Sequence, residues 1–384
     1  MQKFEKHSPV VVTEVTTKHE LRQFMQYPNR LYADNPNYIP SFYGDDLSDW
    51  TPGKNPAFDY CEARCWLAWR DGEIVGRIGA ILSHKANDKF GTHRMRFSQV
   101  DFVDDSEVSA ALFGMVERWA REKGCDQVHG PLGFTDMDRE GMLVEGFDRR
   151  SLFFTNYNAP YYLEHLTRLG YRKDVDWIEY RITVPAPGSA EAARLHKLSE
   201  FILKRKNLHV ATVHHKSEYG PFVRQVFELV NAAYAPLYGV VELSDEQIER
   251  YANKFIPLVD PDFVCFVLDE QDKLVAFGVT ALDPSVALKH SDGRLFPFGW
   301  AGVLNDLHHS DTLIMLLTAV RPDLQTEGIN AVMMDHVCQS CNRHGVQFAE
   351  TGPMLELNDH ILAQWKRLEK EQHKRRRCFI KKLK

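Results

Sequence analysis

The sequence has no long hydrophobic run, no paired-cysteine framework and no surplus of positive charge. Its longest apolar stretch, near Leu313, is far too short for a bilayer span, which takes about 20 residues. The opening residues, MQKFEKHSPVVV, lack the apolar core of a secretory leader. The 7 cysteines are odd in number and scattered over 384 residues, a pattern that argues against a disulfide scaffold and fits a reducing cytoplasm. A net charge of −6 gives no reason to expect nucleic acid as a general partner. The expected location is therefore cytoplasmic, with peripheral contact to a membrane left open.

What is present is ordinary for a folded protein: 44% apolar and 26% charged residues. The length favours two domains over one core. Val10 to Val15 reads as a strand and Lys18 to Tyr32 as a helix. A polar, aromatic loop, Asn35 to Pro56, follows. Cys65 to Trp69 and Glu73 to Ser83 form a hairpin turning at Asp71-Gly72. Strands at Arg96 to Phe102 and Gln127 to Gly130 flank an amphipathic helix, Ser106 to Lys123. A helix from Pro160 to Leu169 and a strand from Asp176 to Val184 close the first half. Pro185-Ala186-Pro187-Gly188-Ser189 breaks the pattern as a linker. Beyond an extra helix, Ala190 to Lys206, the same order returns, with a hairpin around Gln271-Asp272 and late strands at Gln347 to Glu350 and Arg377 to Lys381. Each half also carries Gly-Pro after a late strand: Gly130-Pro131 and Gly352-Pro353. An order repeated twice points to two domains of one kind.

The strongest local signal is LLTAVRPDLQTEGINAVMMDHVC, Leu316 to Cys338. The apolar run Leu313 to Val320 has the make-up of a buried strand. Pro322 ends it, and Gln325-Thr326-Glu327-Gly328-Ile329-Asn330 opens a helix toward Arg343. A loop entering a helix gathers unpaired N–H groups at the positive end of the helix dipole, a setting for phosphate. Gly328 allows close backbone approach. The segment resembles the acyl-CoA pyrophosphate loop of GNAT-type acyltransferases, Gln/Arg-x-x-Gly-x-Gly/Ala, at Gln325 and Gly328; Asn330 departs from it.

The first half adds Leu31-Tyr32 with Asn35-Pro36-Asn37-Tyr38-Ile39-Pro40, Gly76-Arg77-Ile78, Gly130-Pro131-Leu132-Gly133-Phe134, Glu140-Gly141-Met142-Leu143-Val144-Glu145-Gly146-Phe147-Asp148 and Tyr157-Asn158-Ala159-Pro160-Tyr161-Tyr162. In that order they resemble a largely uncharacterised family of bacterial GNAT-superfamily proteins. The resemblance implies an α/β fold of two tandem GNAT-like domains with mixed, mostly antiparallel sheets: 1–184, a linker at 185–190, and 191–384. It implies acyl-CoA as co-substrate, no metal, and transfer of an acyl group from a thioester to an amine. Bacterial ceramide synthases are similar proteins, which makes a long-chain or lipid amine an acceptor to consider.

The resemblance has two gaps. Many GNAT enzymes carry a thiolate-protonating Tyr in the late helix; Leu166 and Trp365 stand near that place here. The first half also runs Val103-Asp104-Asp105-Ser106 straight into its helix, and two acids there repel a pyrophosphate. The C-terminal half is thus the expected acyl-CoA side, and the first half the acceptor side.

Candidate residues follow from the chemistry. Acyl transfer from a thioester needs orientation, oxyanion donors and acid–base help. The resemblance to GNAT folds, which hold the carbonyl by backbone near splayed central strands, implies the N–H groups around Ala319 and Val320 as the oxyanion site. Glu350, at a strand end, reads as a general base or amine anchor, or as a salt-bridged cap. The acidic segment holding Asp136, Asp138, Glu140 and Glu145 could bind a cationic amine or be a solvated loop. Tyr157, Tyr161 and Tyr162 could donate the missing proton or simply pack. His336, Cys338, Cys341 and His344 crowd one helix too closely for a tetrahedral zinc site. The basic run Lys374-Arg375-Arg376-Arg377 reads as a contact for anionic headgroups or CoA phosphates, or as an exposed turn before an edge strand. Two alternatives stand beside the transferase: a non-catalytic CoA- or lipid-binding protein, favoured by the missing Tyr, and an aminoacyl-tRNA-dependent transferase, disfavoured by the acidic charge.

Overall fold

The structure, a computed structural model, describes residues 8–384. It divides into two compact units. One comprises Met1–Asp176, Leu288–Arg294 and Arg376–Lys384; the other comprises Trp177–Ala287 and Leu295–Arg375.

In the first unit the order is β1 (Val11–Glu14), α1 (Lys18–Leu31), α2 (Tyr43–Asp49), β2 (Cys61–Arg70), β3 (Glu73–Ser83), α3 (His84–Phe90), β4 (Arg94–Phe102), α4 (Ser106–Glu122), β5 (Gln127–Gly130), β6 (Met142–Glu145), α5 (Tyr162–Arg168) and the start of β7 (Arg172–Thr183). Strands β1 to β4 pair antiparallel in sequence order. The β2–β3 turn falls at Asp71 (φ 52°) and Gly72 (φ 82°), the left-handed pair that a tight hairpin turn requires. Strand β5 joins β4 in parallel from Arg94↔Gln127 to Arg96↔His129. On its other side it pairs antiparallel with Phe379–Lys382. Helix α4 starts on Asp105, whose side chain accepts from Glu107 N and Val108 N. Its apolar face lays Val108, Leu112, Phe113, Val116 and Trp119 on Trp66, Phe97 and Phe102.

Gly130 ends β5 at φ 148°, and a Cβ there would lie 2.3 Å from the carbonyl oxygen of Phe97. Backbone cannot yield as a flexible side chain can. Gly130→Ala is expected to destabilise the protein by about 3 kcal/mol, combining backbone strain and overpacking. Denaturant unfolding of the full chain measures it; an unchanged midpoint would refute the close approach.

The second unit holds the rest of β7, then α6 (Ala190–Lys206), β8 (His209–Val210), α7 (Gly220–Tyr234), α8 (Asp245–Phe255), β9 (Val264–Leu268), β10 (Leu274–Leu282), α9 (Ser285–His290), α10 (Gly299–His309), β11 (Thr312–Val320), α11 (Asn330–His344), β12 (Phe348–Glu350), β13 (Met354–Leu355), α12 (Asp359–Ala363) and β14 (Lys370–Lys382). Its sheet runs β8-β9-β10-β11-β12, with β12 pairing antiparallel to β7 at Thr183, Ile182 and Arg181. Cys265 and Val267 face α6 and α11, in a cluster with Ile202, Ile329 and Val332. The alternate residues Val264 and Phe266 face α7 and α8, as the period of two demands.

The basic run turns out to be interior. Strand β14 is 13 residues long and includes all of it. Lys374 is 1% exposed and Arg376 0%. Arg376 donates to the backbone oxygen of Asn156 and, at 2.9 Å, to Thr155 Oγ1. Arg377 forms a two-pronged pair with Asp176 at 2.8 and 3.0 Å. Neither an exposed turn nor a headgroup contact describes this segment: its partners neutralise it inside the fold. Among the described residues no helix is long and apolar enough to cross a membrane.

Candidate functional site

The loop before α11 is a short 3-10 turn, Pro322–Leu324, followed by Gln325 to Ile329. Leu324 N and Glu327 N donate to Arg321 O and Leu324 O. The N–H groups of Gln325, Thr326, Gly328, Ile329 and Asn330 make no hydrogen bond among the described residues. The helix has no side-chain N-cap. Gly328 sits at φ 79°, which a residue with a Cβ rarely adopts. Ile329 turns inward at 1% exposure and anchors the loop. Glu327 is paired to Lys206 at 2.7 Å, so its carboxyl lies below the usual range through Lys206. A row of free donors at a helix start, with its own acid neutralised, is a ready anion cradle.

The corresponding corner of the first unit is closed. Asp105 accepts from the first amides of α4 and bonds Arg70 as well. The edge of β4 is also filled: Phe102 N donates to Tyr162 Oη at 2.8 Å, and Phe102 O accepts from Tyr162 at 3.2 Å. Tyr32 Oη and Tyr162 Oη are 2.9 Å apart.

In the second unit the equivalent edge is open. β11 pairs with β12 only over Thr312 to Ile314. Among the described residues its remaining length, Met315 to Val320, pairs with β10 alone, with an irregularity between Val279 and Thr280. Arg321 N donates to Val275 O at 2.8 Å. Alternation along an antiparallel ladder then assigns the Ala319 N–H to β10 and turns those of Thr318 and Val320 outward. A cavity of about 90 Å³ lies beside this edge, bounded by Gly278, Thr318, Asn330, Met333, Cys338 and Ala349. Asn330 thus belongs both to the loop and to the cavity.

Glu350 ends β12. Ala349 faces the cavity on the α11 side, so Glu350 points to the opposite face. Lys374 Nζ lies 3.3 Å from Glu350 and 3.2 Å from Glu179; His373 Nε2 is 3.8 Å from Glu350. Burial pushes the Glu350 carboxyl up, and the Lys374 ammonium opposes the shift.

The other anticipated residues stand in the first unit. Glu140 is partly buried, its carboxyl pushed well up by burial and by Asp136. Asp136 rises to about 6, chiefly by burial. Glu145 is exposed. Tyr157 is buried, accepting from Asn35 Nδ2 at 2.7 Å and donating to Phe147 O at 3.2 Å. Tyr157 packs edge-on to Tyr32. Burial pushes the Tyr162 phenol far up. The second unit thus holds Val320, the 325–330 loop and Glu350, and the first unit holds Glu140, Glu145, Tyr157 and Tyr162; Glu350 lies on the face away from the cavity that Asn330 borders.

Reading the sequence missed Tyr234. It ends α7 and its hydroxyl donates to Thr318 O at 2.8 Å, on the open edge of β11. A search confined to the late helix could not find it. Trp365, in the 3-10 turn Gln364–Arg367 that follows α12, is buried and donates Nε1 to Met354 Sδ at 3.1 Å.

The α11 thiols are pushed up by burial, Cys338 to about 11 and Cys341 to about 12, as packing residues are. One other trio, His129, Asp174 and Cys378, brings its ligand atoms within 4.8 Å of one another. Burial and the guanidinium groups of Arg96 and Arg94 hold His129 well below its usual range, and those same charges oppose a dication.

No family model matches the sequence. The chain is 27% identical over 383 residues to Protein YghO of Escherichia coli (strain K12), covering 97% of this chain and 95% of that one. It is 29% identical over 299 residues to the bacterial ceramide synthase of Caulobacter vibrioides (strain NA1000 / CB15N), covering 76% and 75%. Among solved structures, a tandem GNAT protein from the clavulanic acid biosynthesis pathway superposes with a TM-score of 0.54 at 14% identity, over 97% of this chain and 98% of the other. A GCN5-related N-acetyltransferase from Sphaerobacter thermophilus gives 0.52 at 12% identity, over 97% and 95%. By these likenesses the chain has the mixed α/β fold of a tandem GNAT protein.

Proposed function

We propose that the chain is an acyl-CoA-dependent N-acyltransferase whose donor binds the C-terminal half. The observation that carries this is the row of unbonded amides at the start of α11 beside an open β11 edge. The diphosphate takes the N–H groups of Gln325, Thr326, Gly328, Ile329 and Asn330, chiefly by backbone. Lys206 and Arg205, near Glu327, supply positive charge. The thioester then lies along β11, where the outward N–H groups of Thr318 and Val320 can meet the oxyanion.

The amine nitrogen attacks the carbonyl carbon. Its proton passes to Glu350, directly or through water, and the C–S bond breaks. The Tyr234 hydroxyl, bonded to Thr318 O at 2.8 Å on that edge, protonates the thiolate. No covalent enzyme intermediate is needed, since orientation supplies most of the acceleration. The similarity to a bacterial ceramide synthase supports a long-chain amine as acceptor.

The test is release of free CoA thiol from acyl-CoA, with a panel of alkyl and amino-alcohol amines. Glu350→Gln is expected to lower kcat by about 10² to 10⁴ with CoA affinity kept. In the wild type the acid limb of the rate profile should lie above the ordinary glutamate range, because burial raises Glu350. A variant with full activity would remove Glu350 from the reaction. A protein that binds acyl-CoA but never releases thiol would favour the binding-only reading, to which the absence of a late-helix tyrosine at Trp365 points.

A further inference from the structure

A second apolar cavity, of about 60 Å³, lies on the far face of the C-terminal sheet, under α7 and α8. Val223, Val226, Phe255, Phe266, Val279 and Leu317 are among its lining residues. The one hydroxyl in that lining, Tyr219 Oη, reaches Val259 O at 3.5 Å. Leu317 borders both cavities. It sits in β11 at the irregularity opposite Val279, on the stretch that β12 leaves open. The two spaces therefore come together around one side chain at the strand edge where the thioester is placed above.

The far face is also the face of Glu350, since Ala349 takes the other. Asp283 raises the Glu350 carboxyl electrostatically and so lies close to it. On that side Lys374 already spans Glu350 and Glu179, so what the far face offers a substrate is the apolar space.

We infer that the cavity under α7 and α8 is a subsite for an unbranched alkyl chain of a substrate. This rests on the N-acyltransferase reading and adds to it a substrate class and the residues that set chain length. A single acetyl group does not need such a space. An alkyl chain passing Leu317 gains from every methylene that leaves water. The same chemistry could belong to the tail of the amine or to a long acyl group crossing the open edge.

The experiment uses the full chain and isothermal titration with two series: n-alkylamines from butyl to dodecyl, below their micellar concentrations, and acyl-CoAs from acetyl to dodecanoyl. The wild type is expected to bind the dodecyl member at least tenfold more tightly than the shortest in one series. Val223→Trp, at the half-buried rim of the cavity, should erase that preference while acetyl-CoA affinity stays within twofold. Val226→Ala should move the optimum to longer chains. Val337→Trp, in the α11-side cavity, should leave the preference intact. Preference in the amine series assigns the chain to the acceptor, and in the CoA series to the donor; either supports the subsite. No chain-length dependence in either series overturns it. So does a preference lost in Val337→Trp and kept in Val223→Trp. If no CoA thioester binds at all, the acyltransferase reading fails, while the amine series still decides the subsite.

Discussion

Gly328→Glu leaves the protein folded and weakens coenzyme A binding by at least about 100-fold. Room is not the obstacle: the nearest atom to an added Cβ is Ile202 Cδ1, a flexible tip, at 3.1 Å. A side chain at φ 79° costs about 1–2 kcal/mol, which a protein of this size tolerates. What changes is the charge among the donors. A carboxylate at 328 reaches back to amides that now have no partner, and it repels a diphosphate. Hydrogen bonds to a charged group contribute about 1.5–3 kcal/mol each, so losing two accounts for at least the hundredfold. Gly328→Ala carries the same backbone strain without the charge and should lose far less. Titration of CoA into both variants makes the comparison. Wild-type affinity in Gly328→Glu would move the nucleotide elsewhere, and with it the functional reading.

The contrast between the units explains why one glycine carries so much. At the first unit's helix start an aspartate already occupies the amides, and a tyrosine hydroxyl occupies the strand edge. The sequence displayed half of this: Val103-Asp104-Asp105-Ser106 states that an acid caps that helix. It could not display the tyrosine plug, because Tyr162 lies 60 residues from Phe102 and its ring looks like any packing aromatic.

The same division recurs elsewhere. The hairpin at Asp71-Gly72 was legible because the turn residues themselves demand a left-handed backbone. Helix α2 (Tyr43–Asp49) was not, since it buries no residue and its sequence carries no apolar period. Most strands could be read from composition, though not β6 or β13, and strand partners could not. Nothing local says that Thr183 pairs with Phe348 or that Phe379 pairs with Gly130; alternation fixes which face a residue takes, not who lies beside it. Tyr234 was invisible for a related reason. Its role rests on the far end of α7 meeting a carbonyl 84 positions away. The basic run deceived for the opposite reason: four adjacent cations look solvated until their distant partners are known.

Lys374→Met, at the centre of that run, is expected to destabilise the protein by about 3–5 kcal/mol, because breaking a buried ion pair leaves charge behind. The Lys374 side chain has 0% exposure and stands between Glu179, also at 0%, and Glu350, at 14%. Methionine matches the length of the stem but not the ammonium that both carboxylates share. Glu350 is already raised by burial, with Lys374 as the first opposing influence; without the lysine it rises further. A carboxyl whose folded pKa exceeds its unfolded value binds its proton more tightly when folded, so stability falls as pH climbs through that folded pKa. The deficit of the variant should therefore be small near pH 5 and full near pH 8, where it amounts to about 10 °C in Tm. Lys374→Arg, which keeps the charge in a larger group, should lose less. Thermal unfolding of wild type and both variants across that range decides the matter. A deficit independent of pH would mean that Lys374 acts through packing alone, and that Glu350 is not held ionised by the ammonium beside it. The catalytic argument needs that ionisation, because only the carboxylate form can take the amine's proton.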